Sequence, residues 1–139
     1  MTVPARRGVL YTSTLILLDR IEDQSALPEE PLITAVTLAE LSVGPLVARD
    51  DGERAARQAH LQQAEFDFDP LPFDAAAARA FGQVAASLRG RGRKTAARAY
   101  DAMIAAIAIA NGVGVHTCNP SDFEGIEALS VVWVPQGGQ

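Results

Sequence analysis

The sequence contains a single cysteine, Cys118, among 139 residues, so no disulfide can form within the chain. No apolar run approaches the roughly 18 residues of a membrane helix. The first apolar stretch is followed at once by Asp19 and Glu22, and it lacks the small-residue cleavage site of a signal peptide. These absences predict a protein of a reducing compartment, most simply the cytoplasm, without a membrane segment.

Positive charge is also scarce, because 12 Lys and Arg residues stand against 17 Asp and Glu residues, for a formal net charge of −5. That balance argues against a general electrostatic attraction to nucleic acid. The exception is local, since five cations fall within ten residues: Arg89, Arg91, Arg93, Lys94 and Arg98. Two interpretations are open, a flexible clamp for phosphate groups or a solvated loop that keeps an acidic protein soluble.

The glycine-rich turn of nucleotide-binding folds is missing after the first predicted strand, which disfavours a plain Rossmann domain.

His60 and His116 have no Cys or second His at ligand spacing, so zinc is not expected. We expect His60 at the surface and His116 in a structural role. Cys118 has no nearby base and is expected to be inert, and Trp133 is expected in the core or an interface.

Strand and helix patterns alternate along the chain, which favours one α/β domain over residues 1–139. The expected sheet is mostly parallel, has four or five short strands, and carries helices on both faces. Apolar segments predict strands at 8–12, 32–34, 113–117 and 131–134. Helices are predicted after Ser13, after a capping box of Thr37 and Glu40, over 50–65, over 75–88 behind the N-cap Asp74, and over 99–111 before Gly112.

Three acids fall near the carboxyl ends of predicted strands, where α/β sheets bind ligands. These are Glu40, Asp101 and Asp122. Each has a structural alternative: Glu40 as the capping-box acid, Asp101 as a first-turn acid that suits the helix dipole, and Asp122 as a turn or N-cap residue. The shared placement of all three favours a common site.

Four segments in order resemble the PIN-domain ribonucleases of the VapC toxin group. The opening strand Val9-Leu10-Tyr11-Thr12-Ser13 is similar to an apolar pair followed by Asp-Thr-Ser. The other three are the segment around Glu40, the helix DAMIAAIA that begins at Asp101, and the Thr-x-Asn-x-x-Asp-Phe pattern of residues 117–123. Together they span positions 9 to 134.

The resemblance implies a metal-dependent endoribonuclease, with Glu40, Asp101 and Asp122 as catalytic acids that hold Mg²⁺ or Mn²⁺. Thr12 and Ser13 would support the site, Asn119 would assist orientation, and RNA contacts would come from the basic segment: Arg89, Arg91, Arg93 and Lys94. The resemblance also implies a homodimer and a VapB-like antitoxin. The antitoxin would wrap the helices at 50–65 and 74–88 and place an Arg in the acidic pocket.

The first acid of the family falls at Tyr11 in this sequence. A tyrosine hydroxyl is neutral at pH 7 and is a poor ligand for Mg²⁺. Asp19 lies eight residues further on, about 12 Å along a helix, and cannot replace that acid. Two hypotheses follow: an enzyme whose remaining carboxylates support cleavage, or a catalytically weakened module that still binds the antitoxin and RNA.

Overall fold

The computed structural model describes residues 6–92 and 98–136. Within these two ranges, four strands form one parallel sheet in the order β2-β1-β3-β4. The strands are β1 (Arg7–Leu10), β2 (Glu30–Leu32), β3 (Gly114–Thr117) and β4 (Val131–Trp133). The predicted parallel α/β architecture is therefore confirmed.

Five α-helices in the described part of the chain connect and cover the strands. They are α1 (Thr12–Ile16), α2 (Ala35–Val43), α3 (Asp51–Asp67), α4 (Ala75–Gly90) and α5 (Ala99–Ala110). A short 3₁₀ turn, Pro120–Phe123, follows β3. None of the helices in the described ranges is long and apolar enough to cross a bilayer.

The main core lies between one face of the sheet and the pair α4 and α5. Val9 and Val115 on the strands are fully buried there, as are six residues of α5, Ala102 and residues 104–108. Alternate residues point to the opposite face. On that face His116 is buried, and its Nδ1 lies 3.2 Å from the carbonyl oxygen of Ala26. The structural role expected for His116 agrees with this position.

Several predicted helix ends are confirmed. Asp74 caps α4 as predicted, since its side chain accepts the Ala77 backbone N–H. Asp50, predicted as the first residue of a helix, caps α3 by accepting the Glu53 backbone N–H. Gly112 follows α5 with φ of 67°, a conformation that favours glycine.

The predicted capping box at Thr37 and Glu40 is wrong. The N-cap of α2 is Thr34, whose Oγ1 accepts from the Thr37 backbone N–H at 3.1 Å. The helix therefore begins at Ala35, and β2 ends at Leu32 rather than at Thr34. Glu40 consequently lies in the second turn of α2, where it does not cap the helix, so its half-buried position requires another explanation.

Close packing of β1 on β3 leads to a stability prediction at Gly8. A Cβ built there would overlap the buried His116 imidazole. We expect Gly8→Ala to destabilise the fold by about 1–3 kcal/mol, because the ring has to move in a packed layer. Urea unfolding checks this, with Gly82→Ala as the control, since a Cβ there meets nothing within 4 Å. Equal stability of Gly8→Ala and the wild type would contradict the described packing.

Candidate active site

The fold brings four positions to the carboxyl edge of the sheet: the three candidate acids and Tyr11. Tyr11 directly follows β1, and Asp122 lies in the 3₁₀ turn after β3, the strand next to β1. Asp101 lies in the first turn of α5, and Glu40 lies in α2. Each carboxyl is half-buried, and Tyr11 interacts electrostatically with all three acids.

Tyr11 is bound directly to Asp101. Its hydroxyl donates to Asp101 Oδ1 at 2.7 Å. Its ring meets Phe123 edge-on, with centroids 5.0 Å apart and planes at 86°. Burial, followed by the hydrogen bond to Asp101, raises the pKa of Tyr11 further above its ordinary value. The tyrosine is therefore a neutral, anchored donor at the position of the first acid of the family.

A chain of hydroxyl groups orients Glu40. Thr12 Oγ1 donates to Glu40 Oε1 at 2.7 Å and lies 3.0 Å from Thr37 Oγ1. Because the Thr12 proton is directed to the carboxylate, Thr37 is the donor in the second bond. Burial raises the pKa of Glu40, the Thr12 hydrogen bond opposes that rise, and the charge of Asp101 adds to it.

Opposing effects act on the pKa of Asp101. Burial raises its pKa, the Tyr11 hydroxyl lowers it, the charge of Asp122 raises it, and the Arg98 guanidinium lowers it. Arg98 Nη1 also donates to the backbone carbonyl of Asp122 at 2.9 Å. This arginine therefore joins the start of α5 to the turn that carries Asp122.

Asp122 is supported by its own turn. Asn119 Nδ2 lies 3.3 Å from Asp122 Oδ1, and Ser121 Oγ donates to Asn119 Oδ1 at 2.8 Å. The orienting role expected for Asn119 agrees with these contacts. Ser13, by contrast, is half-buried in the first turn of α1, and its backbone carbonyl accepts a hydrogen bond from the Leu17 N–H at 3.0 Å.

Sequence reasoning missed three residues that shape the site: Thr37, Arg98 and Phe123. Spacing could have indicated two of them, since Thr37 and Arg98 each precede a candidate acid by three residues, which is one helical turn. The contact of Phe123 with Tyr11 joins residues far apart in the sequence, and local pattern does not reveal it.

Glu40, Asp101 and Asp122 offer the carboxylate oxygens that a hard divalent cation prefers, but they do not form a three-carboxylate metal cluster. Within residues 6–92 and 98–136, no group of three or more His, Cys, Asp or Glu side chains has the arrangement of a metal site. The charge of Asp101 nevertheless raises the pKa of Glu40, and the charge of Asp122 raises the pKa of Asp101, so a cation would be favoured among these acids. Mg²⁺ commonly uses one or two carboxylates and several waters. The residues thus fit an ion held by part of the acidic set.

The basic segment is only partly described. Arg89 and Arg91 are exposed at the end of α4, and Arg91 Nη2 lies 3.6 Å from Glu127 Oε1. The predicted RNA contacts Arg93 and Lys94 lie outside the described residues. Neither the clamp nor the solvated-loop interpretation is tested by these positions.

The pKa of Glu40 gives a pH-dependent prediction. Since burial raises that pKa in the folded state, the folded chain holds the proton more tightly than the unfolded chain, and stability falls as pH rises through the interval between the two values. Glu40→Gln keeps an acceptor for Thr12 without the charge. We expect this variant to melt higher than the wild type at pH 7 in EDTA.

The difference should shrink towards about pH 3, where carboxyls are protonated in both states. Asp69→Asn is the control, because Asp69 is exposed on the loop after α3. A lower melting temperature for Glu40→Gln at pH 7 would contradict the described environment of Glu40.

The fold and this edge of the sheet define a class of protein. The PIN domain model matches residues 12–127, most of the chain. The chain belongs to the PIN-domain family.

Among individual relatives, the chain is 37% identical to ribonuclease VapC5 of Mycobacterium tuberculosis (strain ATCC 25618 / H37Rv) over 133 residues, which cover 94% of this chain and 95% of that protein. The crystal structure of VapBC-5 from Mycobacterium tuberculosis, a member of the VapBC family of toxin–antitoxin systems, matches with a TM-score of 0.81 and 33% identity, over 93% of this chain and 99% of that chain.

A more distant structure shares the fold alone. VapBC2 from Rickettsia felis, bound to a DNA fragment from its promoter, matches with a TM-score of 0.68 and 22% identity, over 90% of this chain and 96% of that chain. The family resemblance read from four sequence segments is therefore confirmed.

Proposed function

We propose that this protein is a divalent-metal-dependent endoribonuclease and the toxin of a type II toxin–antitoxin pair. The observation that carries the proposal is the meeting of Asp101 with Tyr11, Glu40 and Asp122 at the carboxyl edge of the sheet. The similarity to ribonuclease VapC5 over nearly the whole chain supports the substrate and the reaction.

In this proposal Glu40, Asp101 and Asp122 are the catalytic acids and hold Mg²⁺ or Mn²⁺. The ion, when bound, activates a water and stabilises charge on the scissile phosphate. Thr12 keeps the Glu40 carboxylate oriented, and Asn119 does the same for Asp122. Arg98 holds Asp101 and Asp122 on neighbouring elements at a fixed separation. Positioning of this kind matters because cleavage depends on geometry more steeply than binding does.

Tyr11 favours a second candidate function, the catalytically weakened module. Its neutral hydroxyl engages one oxygen of Asp101, where the family places a further carboxylate. An ion at Asp101 must compete with that hydrogen bond and has one anionic ligand fewer. The chain would then keep its fold and its antitoxin surface while cleaving slowly.

The test is cleavage of a structured RNA by the purified chain in Mn²⁺, in Mg²⁺ and in EDTA. We expect slow endonucleolytic cleavage in either metal and none in EDTA. Cleavage that persists in EDTA would contradict the metal-dependent mechanism. Absence of cleavage in both metals, with the fold verified by circular dichroism, would favour the weakened module.

The antitoxin surface suggested by sequence needs a correction at α4. The apolar stripe of that helix is core, since Val84 and Leu88 are each 1% exposed against α5. An apolar groove instead runs between α1, α2 and α3. Its main cavity of about 340 Å³ is lined by side chains that include Leu15, Leu41 and Phe68.

A second hollow continues this groove to Thr12 and Glu40 and shares Ile16 and His60 with the first. Ile16 is 42% exposed at the junction. We propose that a VapB-like antitoxin seats apolar side chains in this groove and directs an Arg to the acidic site, where charge pairing favours it. The crystal structure of VapBC-5 supports pairing of this kind.

The remaining expectations belong to the same proposal. We place the protein in the cytoplasm, where a single half-buried cysteine needs no oxidising environment. Residues 1–139 would act as one domain. A homodimer is proposed by resemblance to the family, and sedimentation velocity measures it directly.

A further inference from the structure

The tryptophan of this chain lies in an unexpected position. Trp133 ends β4, and its side chain is 61% exposed. Of the two placements expected from sequence, core or interface, the core placement is therefore wrong, and an interface stays a prediction. It is the single tryptophan among 139 residues, and tryptophan is highly buried on average in folded proteins.

Trp133 lies on the same sheet edge as the carboxylates. Thr117 pairs with Trp133 across β3 and β4. Tyr11 continues β1 beside this pair, since its N–H donates to the His116 carbonyl at 3.0 Å. Val9, Val115 and Val131 are in register two residues earlier, so Tyr11, Thr117 and Trp133 form a row on one face of the sheet.

The spacing of the strands in this row gives the distance between Trp133 and Tyr11. Neighbouring strands lie about 4.8 Å apart, so the backbone of Trp133 is roughly 10 Å from that of Tyr11. The turn that carries Asp122 packs against β4 and α5, and Phe123 in it contacts Tyr11. An extended polymer that places one of its units over Asp101 and Asp122 would therefore place a neighbouring unit at Trp133.

A second aromatic flanks the acids from the helix side. Tyr100 directly precedes Asp101 and is also 61% exposed. Arg89 and Arg91 are exposed at the end of α4, which packs against α5, and Arg91 Nη2 lies 3.6 Å from Glu127 Oε1 in the segment that follows Asp122. The half-buried carboxylates thus have exposed aromatic and cationic groups around them.

This arrangement suits single-stranded RNA. The formal net charge of −5 and the acids themselves repel phosphate, so affinity for a polyanion needs a source other than overall charge. Stacking of bases on aromatic faces is such a source and tolerates any sequence. We propose that Trp133 is the platform on which a base adjacent to the scissile phosphate stacks, with Tyr100 as a second stacking residue. This inference rests on the proposed ribonuclease function.

The experiment uses the fluorescence of the single tryptophan. A single-stranded oligoribonucleotide is titrated into the wild-type chain in EDTA, which prevents cleavage, and the same strand annealed to its complement is the comparison. We expect the single strand to quench Trp133 and the duplex to do so much less, since paired bases offer no free face. Labelled-RNA anisotropy then gives the affinity of each variant.

Trp133→Leu should weaken single-strand binding by about 5- to 100-fold, the range for loss of one stacked base. Trp133→Phe should recover part of it, because phenylalanine keeps a ring where leucine keeps only apolar area. Phe66→Ala is the matched control, since Phe66 is 87% exposed on α3, a helix that packs against α2. Melting curves confirm that each variant folds.

Unchanged affinity of Trp133→Leu, with RNA still bound and still cleaved in Mn²⁺, would overturn the stacking proposal and leave the ribonuclease proposal intact. Quenching that depends on protein concentration without RNA, and a shift of Trp133→Leu to a smaller species in sedimentation, would instead identify an interface between two copies. Failure of the wild type to bind or cleave RNA would overturn both proposals.

Discussion

Tyr11→Asp is expected to increase both the response to metal and the rate of RNA cleavage. The substitution removes the hydroxyl that donates to Asp101 at 2.7 Å and adds a fourth carboxyl beside three half-buried ones. Metal ions bind more tightly as anionic oxygen ligands are added. Outer partners of metal ligands already change affinity or activity by about 10- to 100-fold, so a direct ligand should increase cleavage by at least about 10-fold.

The same substitution should lower stability without metal. The ring of Tyr11 packs edge-on against Phe123 and joins the main core, and that contact is lost. The new carboxylate also adds repulsion in the metal-free state. Differential scanning calorimetry should therefore show a lower melting temperature for Tyr11→Asp in EDTA and a larger rise on adding Mg²⁺ or Mn²⁺ than the wild type shows.

Tyr11→Phe separates the two effects of the substitution. It removes the hydroxyl from Asp101 but keeps the ring and adds no carboxylate. We expect its cleavage rate to stay near that of the wild type if the missing ligand limits activity. A metal response of Tyr11→Asp no larger than that of Tyr11→Phe would argue against a metal site at this edge of the sheet.

Asp101→Ala is expected to give the largest loss of activity. Asp101 is the acid that contacts Tyr11 and that also interacts with Asp122, Glu40 and Arg98. Removing it deletes the central carboxylate, and losses of about 10²–10⁴-fold in the cleavage rate are typical when a principal catalytic interaction is removed. The fold should survive, because α5 is held by its buried apolar residues from Ala102 onward.

Placing Asp101→Ala in the wild type and in Tyr11→Asp distinguishes the two functional hypotheses. Wild-type cleavage that Asp101→Ala abolishes supports an active enzyme. Cleavage that appears only in Tyr11→Asp and disappears in the double variant supports a weakened module. Cleavage unaffected by Asp101→Ala in both backgrounds would indicate a contaminating nuclease or another site. Asp69→Ala, on an exposed loop, controls for loss of negative charge.

Local sequence pattern predicted the elements well where local forces decide them. The cap Asp74 satisfies a backbone N–H group within three residues, and the turn at Gly112 needs only a residue that tolerates positive φ. The buried runs of β1 and β3 and the apolar helix α5 are equally local signals.

The start of α2 could not be predicted from local sequence pattern. Thr34 and Thr37 are both good N-caps, and the choice depends on a distant residue, Leu71. The Leu71 N–H donates to the Ile33 carbonyl at 3.0 Å, and the Ala35 N–H donates to the Leu71 carbonyl at 2.8 Å. These bonds hold residues 33–35 extended up to the helix, so Thr34 becomes the cap.

The candidate acids were predicted from their places at strand ends, but their partners were not. Tyr11 and Asp101 are 90 residues apart, and Thr12 and Glu40 are 28 apart. Such hydrogen bonds follow from the strand order and from the packing of α2 and α5, which periodicity does not specify. The exposure of Trp133 is a further example, because an apolar strand pattern predicts burial whether or not a helix covers that end of the strand.

Direct measurement of Mn²⁺ binding tests the central claim, that Glu40, Asp101 and Asp122 form a site for a divalent ion weakened by Tyr11. Electron paramagnetic resonance of free Mn²⁺ during titration counts bound ions without any need for cleavage. We expect one weakly bound ion in the wild type, tighter binding in Tyr11→Asp, and loss of binding in Asp101→Ala. Equal Mn²⁺ binding by all three chains would contradict the account.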